Sequence, residues 1–229
     1  MITRDVEVIV VENEQEIAAV VGKHLAEAAA AGRGIVLTGG KTPQRAYEEA
    51  AKQQPDWSDV DLWWGDERCV PPGDANSNYG EAKKSLLDKL EREPRHVHRI
   101  KGELGMDGGA ADYEAQLGDT DLDLVLLGIG PDSHVASLFP HAPTLRQRKR
   151  VLPAKPGWEP YVDRVTLSVP TLRSANEILF IVAGEQKADA VRRAFVDEPS
   201  DAAPASLVRA HRGRTRAIVD RAAAAGLQG

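Results

Sequence analysis

The stretch Leu124–Pro140, LVLLGIGPDSHVASLFP, gathers a carboxylate, a hydroxyl and an imidazole directly behind an apolar run. Its first half, LVLLGI, shows no alternation of apolar and polar residues, as expected of a parallel strand covered on both faces. In open α/β sheets ligands sit at the carboxyl ends of strands, so this strand end is the first place to look for chemistry. An imidazole at His134 can take a proton from water and return it to a leaving group. Asp132 can orient that ring or hold a substrate hydroxyl. Ser133 is not read as a nucleophile, because Gly-Pro-Asp-Ser-His is not the G-x-S-x-G elbow. The plain alternative is a capping Asp and a His satisfied by the backbone.

A second constellation is LTGGKTP, Leu37–Pro43. Paired glycines between a strand and a helix let backbone N–H groups approach an anion at the helix N-terminus. Thr38, Lys41 and Thr42 add donors beside Gly39 and Gly40. The loop is neither GxxxxGK[ST] nor GxGxxG, which favours one phosphate group over a nucleotide. A tight turn with no ligand is the alternative. A third is WWGDERCVPPGDANSNYG. Arg68 can grip a phosphate or carboxylate with two hydrogen bonds, Asp66 and Glu67 precede it, and Asn76-Ser77-Asn78 can cap the next helix. A surface ion pair plus a cap is the alternative. Cys69 reads as structural. Trp63 and Trp64 point to opposite faces of a strand, so at least one is core.

Arg164 in RVTLS and Lys187 in GEQKA are cations near strand ends. A cation in a first helical turn costs about 0.3–1 kcal/mol. A bound anion would offset that at Lys187, and a solvated side chain is the alternative. His24, His96, His98, His141 and His211 show no i,i+4 pair and no Cys partner. HVH alone does not make a metal site, and none is expected.

The elements that position these residues alternate. VEVIVV, GIVLT, VDLWWGD, His96–Ile100, LDLVLLGI, RVTLSVP, EILFIVAG and TRAIVD read as strands. Helical spacing marks Glu12–Ala31, the segment after GGKTP, Tyr79–Leu90, Asp107–Leu117, GEQKADAVRRAFV and the Ala-rich tail. Asp66–Asn78 reads as a long polar loop and Pro140–Pro160 as an irregular, proline-rich surface loop. The expected fold is α/β, one domain over residues 1–229, with a mainly parallel, Rossmann-like sheet and helices on both faces.

The totals narrow the function classes. The chain has 29 Lys and Arg against 35 Asp and Glu, a net charge of −6. This argues against nucleic-acid binding, which needs a cationic face, and leaves a small anionic ligand open. A lone cysteine excludes an intrachain disulfide. No apolar run reaches membrane-spanning length and the N-terminus lacks a secretory signal, so a cytoplasmic protein is expected, monomeric or a small homo-oligomer.

Taken together, LTGGKTP, GDERCVPPGDANSNYG, LLGIGPDSHVASLFP, RVTLS and GEQKADAV resemble the 6-phosphogluconolactonase family, in the same order over nearly the whole chain. That family shares a superfamily with glucosamine-6-phosphate isomerase/deaminase. The resemblance implies hydrolysis of 6-phosphoglucono-δ-lactone in the oxidative pentose phosphate pathway, with no metal and no organic cofactor. It implies that His134 is a general base. Arg68, Arg164, Lys187 and the Gly39-Gly40 loop become ligands of the phosphate or of the reacting ester, and Asp66 and Asp132 supporting carboxylates.

Two departures stand out. Asp132-Ser133-His134 replaces the usual D-G-H, and Lys41 replaces a small donor in S-G-G-S-T-P. If the glycine position needs positive φ, Ser133 carries a strain of order 1 kcal/mol. The deaminase pattern fits less well, since it has D-E-Y where this chain has Asp66-Glu67-Arg68 and an F-N-E-P segment after the His. A sugar-phosphate sensor would lack turnover, and a generic esterase would need the missing nucleophile elbow.

Overall fold

The structure, a computed structural model, describes residues 2–3 and 5–227. Strands β1 (Ile2–Thr3) and β2 (Val6–Val11) lead into α1 (Glu14–Ala30), β3 (Ile35–Leu37), α2 (Lys41–Gln53) and β4 (Asp61–Trp64). Past Gly65 come β5 (Asp66–Arg68), α3 (Asn78–Ser85), β6 (His96–Val97), α4 (Gly105–Leu117) and β7 (Leu124–Gly128). Then follow β8 (Val151–Ala154), β9 (Arg164–Leu167), α5 (Val169–Arg173), β10 (Glu177–Val182), α6 (Ala188–Phe195), β11 (Arg214–Asp220) and α7 (Arg221–Ala224).

Among the described residues the main sheet runs β1-β2-β11-β10-β7-β3-β4-β6. Every neighbouring pair is parallel except β1 with β2. The mainly parallel α/β fold read from the sequence is therefore the observed one. The chain runs from β2 outward to β3, β4 and β6 through α1, α2 and α3, which pack in sequence against one another. It returns through β7, β10 and β11, with α4 preceding β7 and α6 lying between β10 and β11. The direction reverses between β3 and β7, and such a switch point opens a crevice at the carboxyl ends of its strands.

The local causes are ordinary. Leu124, Val125, Leu126 and Leu127 of β7 are fully buried, as an unbroken apolar run in a central strand requires. Helix α1 starts where the Asn13 side chain accepts the Glu16 N–H at 3.0 Å, and it turns Ile17, Val21 and Leu25 into the core. Both Trp63 and Trp64 are buried.

Two expectations need correction. Residues 66–78 are not all loop, because Asp66–Arg68 forms β5 of a small antiparallel sheet ordered β5-β9-β8. Residues 140–160 are not irregular and exposed throughout either. They include a 3-10 turn at Pro143–Arg146 and the buried strand β8. The signal was hidden by Pro153, which β8 tolerates as an edge strand where a missing N–H costs no ladder bond. At β5 it was hidden by the charges of Asp66-Glu67-Arg68, which an edge strand also accepts.

Candidate active site

The end of β7 folds into a tight turn that aims one histidine. The Gly130 N–H donates to the His134 carbonyl and the Ser133 N–H to the Gly130 carbonyl, both at 2.9 Å. Ser133 has φ 71° and Ala136 φ 49°, left-handed values that strain residues with a β-carbon. Asp132 Oδ1 lies 2.5 Å from His134 Nδ1 and accepts the His134 backbone N–H at 3.1 Å. This leaves Nε2 as the free ring nitrogen. Burial raises the Asp132 pKa, but the hydrogen bonds and charge of His134 outweigh it and hold the carboxyl below the usual carboxylate value. The imidazole sits beside Phe139, ring centroids 4.9 Å apart, and Trp158, at 6.4 Å.

The opposite wall is β5 with the start of α3. Glu67, buried, accepts the Arg68, Asn78 and Tyr79 N–H groups and the Ser77 hydroxyl at 2.7–3.0 Å. The carboxylate thus pins the polar loop to the helix N-terminus, where negative charge is favoured. Asp66 accepts the Ser137 hydroxyl at 2.6 Å and the Asn78 amide at 3.2 Å. Asn78 is 2% exposed, and its Oδ1 has no hydrogen-bond partner.

Arg68 and Arg164 face each other in the β5–β9 register. Both are held by carbonyls: Arg68 by Asn76 at 2.6 Å, Arg164 by Val162, Trp158 and Pro160 at 2.7–3.2 Å. Burial, opposed by Asp66 and reinforced by Arg68, pulls the Arg164 pKa below its usual value. Like charges directly opposite on neighbouring strands repel, and an anion between them would relieve the repulsion.

The third wall is the loop after β3. Gly40 has φ 115°, open to glycine alone, and a β-carbon on Gly39 would lie 1.9 Å from Asn78 Oδ1. The Tyr47 hydroxyl, from α2, donates to the Thr38 carbonyl at 2.6 Å and accepts the Thr38 N–H at 3.0 Å, which fixes the loop's first residue. Across from it, Lys187 Nζ donates to the Ile129 carbonyl at 2.7 Å. Burial lowers the Lys187 pKa, and Asp132 opposes that shift.

These walls enclose a cavity of about 240 Å³ that Thr38, Gly39, Gly40, Asp66, Arg68, His134, Arg164 and Lys187 help to line. Asp132 stands behind the imidazole. Lys41 and Thr42 line instead an adjoining cavity of about 440 Å³, which shares Gly39, Gly40 and Lys187 with the first. Thr42 gives its hydroxyl proton to Glu14 at 2.7 Å, and Lys41 is exposed. The sequence reading missed Asn78 as a wall residue, because NSNYG reads equally well as a helix cap. It also missed Trp158 and Glu159, which come from the segment read as surface loop. A larger cleft of about 480 Å³, lined by Asp121, Arg173 and His211, lies at the amino ends of the strands, away from this chemistry.

The chain is similar to known proteins over most of its length. The family model for glucosamine-6-phosphate isomerases/6-phosphogluconolactonase matches residues 9–217. A 6-phosphogluconolactonase of Streptomyces coelicolor is 36% identical over 222 residues, covering 88% of this chain and 85% of its own. The crystal structure of 6-phosphogluconolactonase from Thermotoga maritima superposes with a TM-score of 0.83 at 28% identity, over 94% of this chain and 100% of the other. A monomeric glucosamine-6-phosphate deaminase superposes with the same TM-score of 0.83 at 20% identity, covering 96% and 99%. The backbone is therefore common to two chemistries, and the side chains must decide between them.

Proposed function

We propose that this chain, which belongs to the glucosamine-6-phosphate isomerase/6-phosphogluconolactonase family, hydrolyses 6-phosphoglucono-δ-lactone to 6-phosphogluconate in the pentose phosphate pathway. The observation that carries this reading is the His134 ring. Its Nδ1 is fixed by Asp132 at 2.5 Å, and the residue lines a cavity whose other side chains include Arg68, Arg164 and Lys187.

The lactone carbonyl is electrophilic, so water needs only modest activation. His134 Nε2 takes a proton from water as the water oxygen bonds to C1. The carbonyl π electrons move to oxygen, and Arg68 stabilises that charge. As the carbonyl re-forms, the bond from C1 to the ring oxygen breaks, and protonated His134 returns its proton to that oxygen. Asp132 holds the ring in one tautomer and offsets the charge of the imidazolium.

The phosphate lies several bonds from C1 and does no chemistry. Held by the Gly39–Thr42 backbone and Lys187, it positions C1 against His134, and positioning alone lowers barriers substantially. Asn78 braces the wall of β5 and α3: its amide donates to Asp66, and its Oδ1 packs against Gly39. Arg68 in place of Tyr, with no carboxylate between His134 and Pro140, favours lactone hydrolysis over deamination.

Each turnover makes a carboxylic acid, so the reaction releases acid in weak buffer. The expected result is fast acid release from freshly generated 6-phosphoglucono-δ-lactone and no ammonia from glucosamine-6-phosphate. Ammonia release would reassign the site to deamination. A rate no faster than spontaneous hydrolysis would reduce it to a binding site.

A further inference from the structure

At the end of the sheet away from His134, two neighbouring strands bring a carboxylate and two imidazoles together. Asp61 opens β4 and faces His96 of β6 in register, with Asp61 Oδ1 2.8 Å from His96 Nδ1. His98 follows two residues later. Its backbone N–H donates to the Leu62 carbonyl at 2.8 Å, so the strand pairing continues and both imidazoles share one face. One ligand atom from each of Asp61, His96 and His98 lies within 4.8 Å of the others. We propose that Asp61, His96 and His98 form a binding site for a borderline divalent cation of the zinc type.

The donor set supports this. Two nitrogens and one carboxylate oxygen suit Zn²⁺, with a fourth position left to water. Ligands about 2.0–2.1 Å from a tetrahedral centre stand roughly 3.4 Å apart. The 2.8 Å between Asp61 and His96 therefore needs only a small opening once the bridging proton is replaced by the cation. The surroundings also hold each ligand in place, as metal sites require. Arg95 donates to Asp61 Oδ1 at 3.0 Å and Oδ2 at 2.5 Å, which fixes the carboxylate plane; the Oδ1 lone pair that faces His96 is the one a cation would take. His98 stacks flat on Trp63 at 3.7 Å. Only His96 is freely exposed, at 61% of its side chain, and it is the ligand through which a cation would enter.

A cation here acts as a staple. Strand β6 is an edge of only two residues, and binding the folded state alone stabilises it by mass action. The segment it would clip runs on to Gly102, where a β-carbon would meet the Arg68 carbonyl at 2.2 Å. The staple therefore braces the backbone behind Arg68 without touching the cavity.

Titrating the full chain with ZnCl₂ at neutral pH, by calorimetry, tests this. The expected result is one site per chain, at least about tenfold weaker in His96→Asn and in His98→Gln and unchanged in His134→Ala. Should His98→Gln disturb packing, His96→Asn at the exposed position keeps the test valid. Co²⁺ should quench Trp63 fluorescence in the wild type and not in either variant. Binding that survives both substitutions, or that is lost only in His134→Ala, would overturn the proposal. So would the absence of a stoichiometric site. None of these outcomes bears on lactone hydrolysis, which is assayed separately.

Discussion

Gly130 and His134 are locked together: a β-carbon on Gly130 would lie 2.1 Å from His134 Nδ1 and 2.7 Å from Asp132 Oδ1. The second glycine of Gly-x-Gly is therefore the space that the imidazole and its carboxylate occupy.

Gly130→Ala must push the ring aside while leaving β7 in place. Misplacing a reacting group by about 1 Å costs on the order of a hundredfold in rate. The expected result is a kcat lower by about that factor, with KM and melting temperature little changed. Steady-state kinetics beside thermal unfolding check it.

Ser133 tests the departure from D-G-H. Its φ of 71° meets the expectation of strain, and its Oγ is buried without a partner. Ser133→Gly removes roughly 1–2 kcal/mol of left-handed strain and an orphaned hydroxyl, against a glycine entropy cost of about 0.5–1 kcal/mol. The expected net gain is about 1 kcal/mol, or roughly 2–4 °C in melting temperature, with turnover retained.

Much of this was legible in the sequence because it rests on local pattern. The apolar run of β7 reads as a covered parallel strand, and the position of the glycines after β3 and of Asp132 and His134 after β7 at strand ends is what raised them above their plain alternatives. Asn78 was not legible, because its role depends on Gly39 letting α3 come close, a contact between residues 39 apart in the chain. Nor was the Asp61–His96 pairing, since strand order does not follow from pattern. The proline in β8 concealed a strand whose neighbours make it an edge.

Asn78→Leu tests the brace between α3, Asp66 and the Gly39 loop. Leaving the Asp66 acceptors unpaired inside a buried wall costs about 1–3 kcal/mol. The expected result is a kcat/KM for the phosphorylated lactone lower by roughly tenfold to a hundredfold. Loss of the Asn78 amide donors to Asp66 loosens that wall, so thermal unfolding is measured alongside. An unchanged kcat/KM would show that this brace does not position the substrate.

Stability should fall on acidification through Glu177. This buried carboxylate faces Arg33, Arg214, Arg216 and His24. Burial raises its pKa, but the hydrogen bonds from His24, Arg214 and Arg216 outweigh that and hold it far below the usual value. A depressed carboxylate pKa stabilises the fold above the unfolded-state pKa, near 4.3, and that contribution is lost progressively as pH drops below it. Glu177→Gln should destabilise the protein at neutral pH by about 3 kcal/mol and flatten the acid limb of its stability curve. Denaturant unfolding between neutral pH and pH of about 3 checks both.

The most direct test of the catalytic account is stopped-flow hydrolysis of freshly generated 6-phosphoglucono-δ-lactone by wild type, His134→Ala and Lys187→Ala. The account predicts that His134→Ala lowers kcat by about 10²–10⁴-fold with KM nearly constant, while Lys187→Ala mainly raises KM. Near-wild-type turnover by His134→Ala would contradict it.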